Sequence, residues 1–272
     1  MARTSWAALA ALAVVSAVAC KPDFDLKKLT SNEALYTASL NEYKHHSWDN
    51  AVTGFEKLTT DLPARDSLLP RSYWYLASAH EHMGEHLLAA QSYDRLVESF
   101  PDDSLADDAA LDAARSYRKM WRKPELDPQY GEVALSSYNT LIGLYPTSPL
   151  IPTAQKEIKD LENWFAIKDY KTGMYYYRLK CYDCAMIYFK DVLAKYPETS
   201  TAKDAGVKLV QSNLAVHYKD DAADLCAQLR PKYPGDHEVE EACKGVPVTT
   251  ASRDTTAARD TTPPPLPKPP AH

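Results

Sequence analysis

Long stretches of the chain alternate apolar and polar positions with the period of an α-helix, and five segments share one internal spacing. In each, a small residue is followed by apolar residues at four and seven positions and by a proline at twelve. The segments are Ala51/Phe55/Leu58/Pro63, Ala89/Tyr93/Leu96/Pro101, Ala134/Tyr138/Leu141/Pro146, Ala185/Phe189/Val192/Pro197 and Ala222/Cys226/Leu229/Pro234. These offsets place the three side chains on one helical face. Proline then ends the helix, because its ring and missing N–H cannot continue it.

This spacing is typical of the second helix of a tetratricopeptide (TPR) unit, a helical hairpin of about 34 residues. The second repeat also has the expected first helix, with Tyr73, Leu76 and Ala77, and a glycine, Gly84, in the turn. One hairpin cannot bury its apolar face alone, so neighbouring hairpins stack into a solenoid with a concave surface. The sequence therefore predicts an all-α fold, a TPR-type solenoid of about five repeats.

The repeats are unequal in length. Successive prolines of the pattern lie farther apart than the bare TPR period of about 34 residues. The excess falls at Arg118–Tyr130 and around Ile151–Ile167. We expect inserted loops or lengthened helices at these two places.

The first nineteen residues resemble a secretory signal peptide: a basic start precedes an uncharged stretch too short to span a bilayer. The stretch ends in Ala17–Cys20, which resembles the lipobox of bacterial lipoproteins, although Ala17 stands where leucine is usual. The resemblance implies that Cys20 is acylated and begins the mature chain, and Lys21 is compatible with an outer-membrane destination. The alternative is an ordinary signal peptide with an incidental Cys20.

The sequence predicts four segments. They are a signal peptide (1–19), a lipid-anchored tether (20–34), the TPR solenoid (35–244) and a C-terminal tail (245–272). The tail is rich in proline and threonine and has almost no residues able to form a core. We expect it to be disordered with polyproline II character, acting as a spacer or as a ligand for an aromatic groove.

Composition and motifs disfavour several classes of function. A net charge of −6 disfavours a nucleic-acid partner, which requires clustered lysine and arginine. The 8 glycines never fall in phosphate-loop spacing, and neither HExxH nor GxSxG occurs. We expect no enzymatic activity, no catalytic residues and no cofactor.

Two histidines have the i, i+4 spacing of metal ligands on a helix, His82 and His86. Gly84 between them marks a turn, however, which interrupts this helical spacing. We expect no metal site.

Two pairs of cysteines lie in the C-terminal repeats. Cys181 and Cys184 form a CxxC motif at the opening of a predicted helix. A redox role requires a βαβ context that helical repeats lack, so in an oxidising periplasm we expect a structural disulfide. Cys226 and Cys243 are candidates for a second disulfide that joins a short terminal helix to the fifth repeat, the alternative being two buried free thiols.

From Leu35 to Lys244 the chain resembles the BamD family of TPR lipoproteins, in Trp48–Val52, in Tyr145–Pro149 and in the Ala166…Tyr176-Tyr177 pattern. The resemblance implies an outer-membrane anchor, a position facing the periplasm and a scaffold role in the β-barrel assembly machinery. It also implies that the C-terminal repeats dock a POTRA-domain barrel protein beside accessory lipoproteins of the complex.

The family places a basic residue in the second helix of the fourth repeat as part of this docking contact. The best-matching position here is Tyr188, with Lys190 nearby. We take these two residues as docking candidates, although tyrosine stands where the family has a basic residue.

The resemblance further implies that an N-terminal concave face receives the C-terminal signal strand of unfolded outer-membrane proteins. Positions of the first helices beside the buried ladder bear Tyr36, Tyr43, Arg71 and Trp74. Rings suit the aromatic side chains of such a strand, and the guanidinium suits its carboxylate. The alternative is that these rings pack between helices.

A second function fits the same architecture. A periplasmic TPR adaptor lipoprotein that recruits peptidoglycan hydrolases or Tol-Pal components has the same anchor and repeats. Because fold alone does not establish function, the identity of the bound partners decides between the two.

Overall fold

The computed structural model describes residues 24–246, and its regular structure in that range is entirely helical, without a strand. A 3-10 turn at Leu26–Lys28 precedes eleven α-helices. They are α1 (Asn32–Lys44), α2 (Trp48–Asp61), α3 (Leu69–Met83), α4 (His86–Ser99), α5 (Ala106–Met120), α6 (Gln129–Leu144), α7 (Ile151–Arg178), α8 (Tyr182–Lys195), α9 (Ser200–Ala215), α10 (Lys219–Lys232) and α11 (His237–Ala242).

The helices form five consecutive hairpins, α1/α2 to α9/α10, and α11 packs on the last. The five spaced segments lie on the second helix of each hairpin, and all fifteen of their helical positions are buried. Each second helix also packs against the first helix of the next hairpin. The predicted all-α fold is confirmed.

The five prolines have one common position. Each follows its second helix by two residues, so the helices end at the same point of the repeat. The residue before each proline donates its backbone N–H to the carbonyl of the third spaced residue, as in Leu62 to Leu58, Phe100 to Leu96 and Tyr196 to Val192. The last helical hydrogen bond is thus formed immediately before the residue that cannot donate one.

Four of the five hairpin turns use one backbone geometry. Their turn residue has a left-handed φ of 59° to 77°, at His46, Gly84, Lys180 and His217. The next residue donates its N–H to a carbonyl five positions back, closing the end of the first helix as in a Schellman motif. The inter-helix turn predicted at Gly84 is confirmed.

The third hairpin departs from this geometry, in line with the irregular spacing. Between α5 and α6 the loop 121–128 turns Trp121 into the core, against Phe165 and Trp164 of α7. A Cβ on Gly131 would lie 2.2 Å from the Trp121 ring, so only glycine allows this approach. The second irregular stretch is a lengthened helix, because α7 runs for 28 residues.

Both ends of the solenoid are covered by short segments. At the start, Phe24, Leu26 and Leu29 pack on the first hairpin, inside the stretch predicted to be a tether. At the end, α11 and Val246 pack on α9 and α10. The predicted signal peptide, Cys20 and nearly all of the predicted tail lie outside the described residues.

Over residues 24–246, no helix combines the length and the apolar composition that a membrane span requires.

Gly84→Ala and Gly143→Ala are expected to change stability in opposite directions. An added Cβ meets no atom within 4 Å at either position, so only the backbone differs. Gly84 has a φ of +77°, where alanine costs about 1 kcal/mol, whereas Gly143 lies in α6, where alanine stabilises by about 0.5–1 kcal/mol. Urea denaturation of both variants measures the difference, and changes of the same sign would contradict the left-handed turn.

Candidate functional site

The first helices of the first two hairpins bring several tyrosines together. Tyr36 and Tyr43, seven residues apart on α1, share a helical face and both meet Tyr75 of α3, at ring-centroid distances of 6.5 Å and 5.1 Å. Tyr36 also contacts the buried Phe55 edge-on at 5.9 Å. Both α1 rings are half-buried. They therefore pack between helices and still present part of their surface to solvent.

Tyr43 makes further contacts with α3 and with Trp48 at the start of α2. It lies 2.7 Å from the Ser78 hydroxyl, and its ring meets Trp48 at 5.2 Å. Trp48 in turn stacks on His82, with ring centroids 4.1 Å apart. These contacts fix Tyr43 between two hairpins, which limits its freedom to rearrange around a ligand.

Arg71 is exposed at the beginning of α3, beside Tyr36. Burial raises the pKa of the Tyr36 hydroxyl, Tyr75 raises it further, and the positive charge of the nearby Arg71 offsets part of the shift. Within residues 24–246 no carboxylate lies at ion-pair distance from this guanidinium. The structure thus places a solvated cation at the edge of the tyrosine group.

Trp74 does not join these residues. Successive helical positions differ by about 100°, and Tyr75 rather than Trp74 faces α1. The Trp74 ring packs edge-on against Tyr93 of α4 at 5.3 Å, among buried alanines of α3 and α5. Of the four predicted peptide-binding residues, the structure brings together Tyr36, Tyr43 and Arg71 and separates Trp74.

A basic pocket that the sequence analysis missed lies farther along the first helices, between α5 and α7. Its volume is about 580 Å³, and its charged lining residues are Arg115, Arg118, Lys119, Lys156, Glu157 and Asp160. The three cations of α5 have i, i+3 and i+4 spacing on the first helix of the third repeat. That spacing was visible in the sequence.

Glu157 is the electrostatic centre of this pocket. It accepts bidentate hydrogen bonds from Arg115 at 2.7–3.1 Å and one from the Tyr138 hydroxyl at 2.7 Å. Burial opposes ionisation of Glu157, but these hydrogen bonds outweigh it and the pKa of the carboxyl is lowered. Arg118 lies instead over the Trp164 ring, 5.8 Å from its centroid. Arg115 is therefore ion-paired with Glu157, whereas Arg118 contacts an aromatic ring.

Hydrogen bonding explains the position of His86. This histidine contacts Glu81 through Nδ1 at 3.2 Å, and Glu81 also accepts hydrogen bonds from Ser116 at 2.5 Å and from Lys119. The bonds from Ser116 and Lys119 join α3 to α5. In the described part of the chain, no three histidine, cysteine or acidic side chains are grouped as metal ligands.

The two docking candidates on α8 lie on different faces. Tyr188 is half-buried and stacks on Tyr176 of α7, with ring centroids 5.5 Å apart. Lys190, two positions along, is exposed. The structure therefore gives Tyr188 a role in packing the fourth hairpin, whereas Lys190 is exposed to solvent.

All four C-terminal cysteines are joined in disulfides. Cys181 and Cys184 are linked at the start of α8, with a Cα–Cα distance of 5.3 Å, and both are half-buried. Cys226 and Cys243 are linked across a Cα–Cα distance of 5.8 Å and are completely buried.

Comparison with known proteins adds the decisive observation. Residues 29–229, nearly all of the solenoid, match the model of the YfiO family, described as an outer membrane lipoprotein. The chain belongs to the YfiO family.

Two curated relatives are each named outer membrane protein assembly factor BamD. The relative from Caulobacter vibrioides is 24% identical over 208 residues, which cover 75% of this family member and 67% of the relative. The relative from Xylella fastidiosa (strain 9a5c) is 23% identical over 228 residues, which cover 74% of this chain and 73% of the relative. Among solved structures, a thermophilic TPR protein of Thermus thermophilus is 19% identical, covers 78% of this chain and 96% of its own, and has a TM-score of 0.34.

Glu157→Gln is expected to destabilise the protein at neutral pH and to have little effect in acid. A carboxyl whose pKa is lowered by folding contributes stability above its ordinary pKa, and this contribution disappears as the pH falls through the lowered value. Loss of the charged hydrogen bonds costs about 1.5–3 kcal/mol at pH 7. Urea denaturation at pH 7 and pH 3 measures the effect, with the exposed Glu56→Gln as control. An equal loss at both pH values would contradict the ionised Glu157.

Proposed function

We propose that this family member is an outer-membrane-anchored, periplasm-facing scaffold that assists the assembly of β-barrel proteins, with Cys20 as its acylated residue. The observation that carries the proposal is the family match over residues 29–229, which includes all five spaced segments except the end of the last. The names of the two curated relatives support the assembly role.

The N-terminal face is proposed to bind the terminal signal strand of an unfolded outer-membrane protein. Tyr36 and Tyr43 offer ring surfaces that are already held in place, so little side-chain entropy is lost when a partner ring packs on them. Arg71 adjoins them with an exposed guanidinium that suits bidentate binding of a carboxylate. An aromatic residue followed by a free C-terminus fits this arrangement.

The C-terminal repeats are proposed to dock the POTRA-bearing barrel protein, with accessory lipoproteins of the same complex beside it. Large apolar side chains are exposed near the turns of the fourth and fifth hairpins, with exposed fractions of 46% for Tyr175, 61% for Leu179 and 48% for Tyr218. Exposed apolar groups of this kind are typical of protein interfaces. Lys190 on α8 supplies an exposed positive charge on the fourth hairpin.

Arg71→Gln is expected to weaken binding of a peptide that ends in an aromatic residue and a free carboxylate. A hydrogen bond to a charged group contributes about 1.5–3 kcal/mol, so affinity falls about tenfold or more. Fluorescence anisotropy of a labelled peptide measures this, with Arg118→Gln as the matched control because that cation lies in the basic pocket. A C-terminally amidated peptide should bind equally to the wild type and to Arg71→Gln.

Two outcomes would redirect this proposal. If Arg118→Gln weakens binding and Arg71→Gln does not, the carboxylate is bound in the basic pocket. If neither variant changes affinity and amidation has no effect, the N-terminal face does not recognise a terminal carboxylate.

Leu179→Asp is expected to reduce recovery of the docking partner in affinity purification from detergent-solubilised envelopes. The wild type should recover a POTRA-bearing β-barrel protein in near-stoichiometric amount, identified by mass spectrometry. Leu88→Asp, which replaces an exposed leucine on α4, is the control and should leave recovery unchanged. Recovery of peptidoglycan hydrolases or Tol-Pal components instead would favour the adaptor function.

A further inference from the structure

The segment that precedes α1 is packed against the first hairpin. Phe24, Leu26 and Leu29 contact its apolar cluster, whose buried residues include Leu35 and Phe55. The first hairpin has no preceding repeat in the described chain, so this segment covers apolar surface that a neighbouring hairpin would otherwise bury.

The lack of a side chain at Gly54 of α2 leaves space for the Phe24 ring. A Cβ on Gly54 would lie 2.0 Å from the Ser39 hydroxyl oxygen and 2.8 Å from Cζ of Phe24. Gly54 therefore allows α1 and the phenylalanine ring to approach α2 closely. A larger residue at this position would displace the ring.

Hydrogen bonds restrict the conformation of the chain between Phe24 and α1. Asp25 accepts from the Lys27 N–H at 3.0 Å and caps the 3-10 turn, whose last bond joins Leu29 N–H to the Leu26 carbonyl at 3.3 Å. Ser31 then caps α1 by accepting from the Ala34 N–H at 3.1 Å. The chain is thus fixed to the hairpin from Phe24 onward.

We propose that this packing holds the first hairpin against the lipid headgroups, with the membrane surface as its partner. The inference rests on the lipid anchor at Cys20 in the proposed function. Only the four residue steps from Cys20 to Phe24 remain outside the packed segment, and a fully extended chain of that length spans at most about 14 Å. A tether running to residue 34 would instead allow about 50 Å.

The exposed side chains of the turn suit that partner. Lys27 and Lys28 are solvent-exposed on the 3-10 turn, and basic residues close to a membrane are attracted to anionic headgroups. The N-terminal end of the solenoid is therefore the end nearest to the membrane. It carries the lipid anchor, the packed Phe24 ring and the two lysines.

The mature chain (residues 20–272) allows a direct measurement. The sequence has 5 cysteines, and four are in disulfides, so a maleimide-linked lipid is attached selectively at Cys20. Neutron reflectometry on a supported bilayer containing anionic lipid then measures the water gap below the protein. One variant carries ten inserted Gly/Ser residues between Pro22 and Asp23, and a second is Phe24→Ser.

The wild type should show a gap of no more than about 14 Å plus the length of the maleimide linker. The insertion should widen the gap while the Lys28 and Leu29 amides stay protected from hydrogen exchange. Phe24→Ser should widen the gap and remove that protection, because the turn is released. A wild-type gap above about 14 Å plus the linker length, or equal gaps in the wild type and the insertion variant, would overturn the proposal.

The anchor itself is tested separately. Radiolabelled palmitate should be incorporated into the wild type in cells and not into Cys20→Ser. Because the reflectometry uses a chemically attached lipid, its result does not depend on cellular acylation or on barrel assembly. Loss of palmitate labelling with a narrow gap would contradict the lipid anchor alone, and a wide gap with normal labelling would contradict the membrane contact alone.

Discussion

Each second helix must bury its apolar stripe between its own first helix and the next hairpin, and the rest of the structure depends on this requirement. A large side chain such as Phe55 or Phe189 gains about 1.5–3 kcal/mol from full burial, and it can do so only when a neighbour is present. Stability is therefore shared between adjacent repeats. Within residues 24–246 the first and last hairpins each have a neighbouring hairpin on one side only, so both ends of the solenoid need a substitute for it.

The substitutes differ in kind. At the start, Phe24 and the following turn supply apolar contact without a covalent link. At the end, the buried Cys226–Cys243 disulfide joins α10 to the residue that follows α11, and Lys203 of α9 binds Asp236 at 3.0 Å. A disulfide contributes about 2–4 kcal/mol, largely by restricting the unfolded chain. Small terminal segments too short to form a repeat can close the solenoid in this way.

The five spaced segments predicted the five hairpins and the two irregular stretches. Both the apolar positions that each second helix buries and the proline that ends it lie within thirteen consecutive residues, so they can be seen in the sequence. Ring directions were not predictable to the same degree. Whether Trp74 or Tyr75 faces α1, and whether Tyr188 is free or stacked on Tyr176, depends on contacts with other helices. Packing of Phe24 on Gly54 joins residues thirty positions apart and leaves no periodic signal.

Function on such a scaffold depends on which surface charges remain available, since the stacked hairpins themselves serve many partners. The first helices contain cations of two kinds. Arg115 and Lys119 are paired with Glu157 and Glu81, so they join neighbouring hairpins. Arg71 instead lies beside Tyr36, and Arg118 lies over the Trp164 ring, a cation–π contact; within residues 24–246 neither is in an ion pair with a carboxylate. An anionic ligand then finds a cation already held in place, which lowers the entropic cost of binding. A peptide that ends in an aromatic residue and a free carboxylate can use both the tyrosine rings and the Arg71 cation, whereas a peptide that lacks either group can use only one of them.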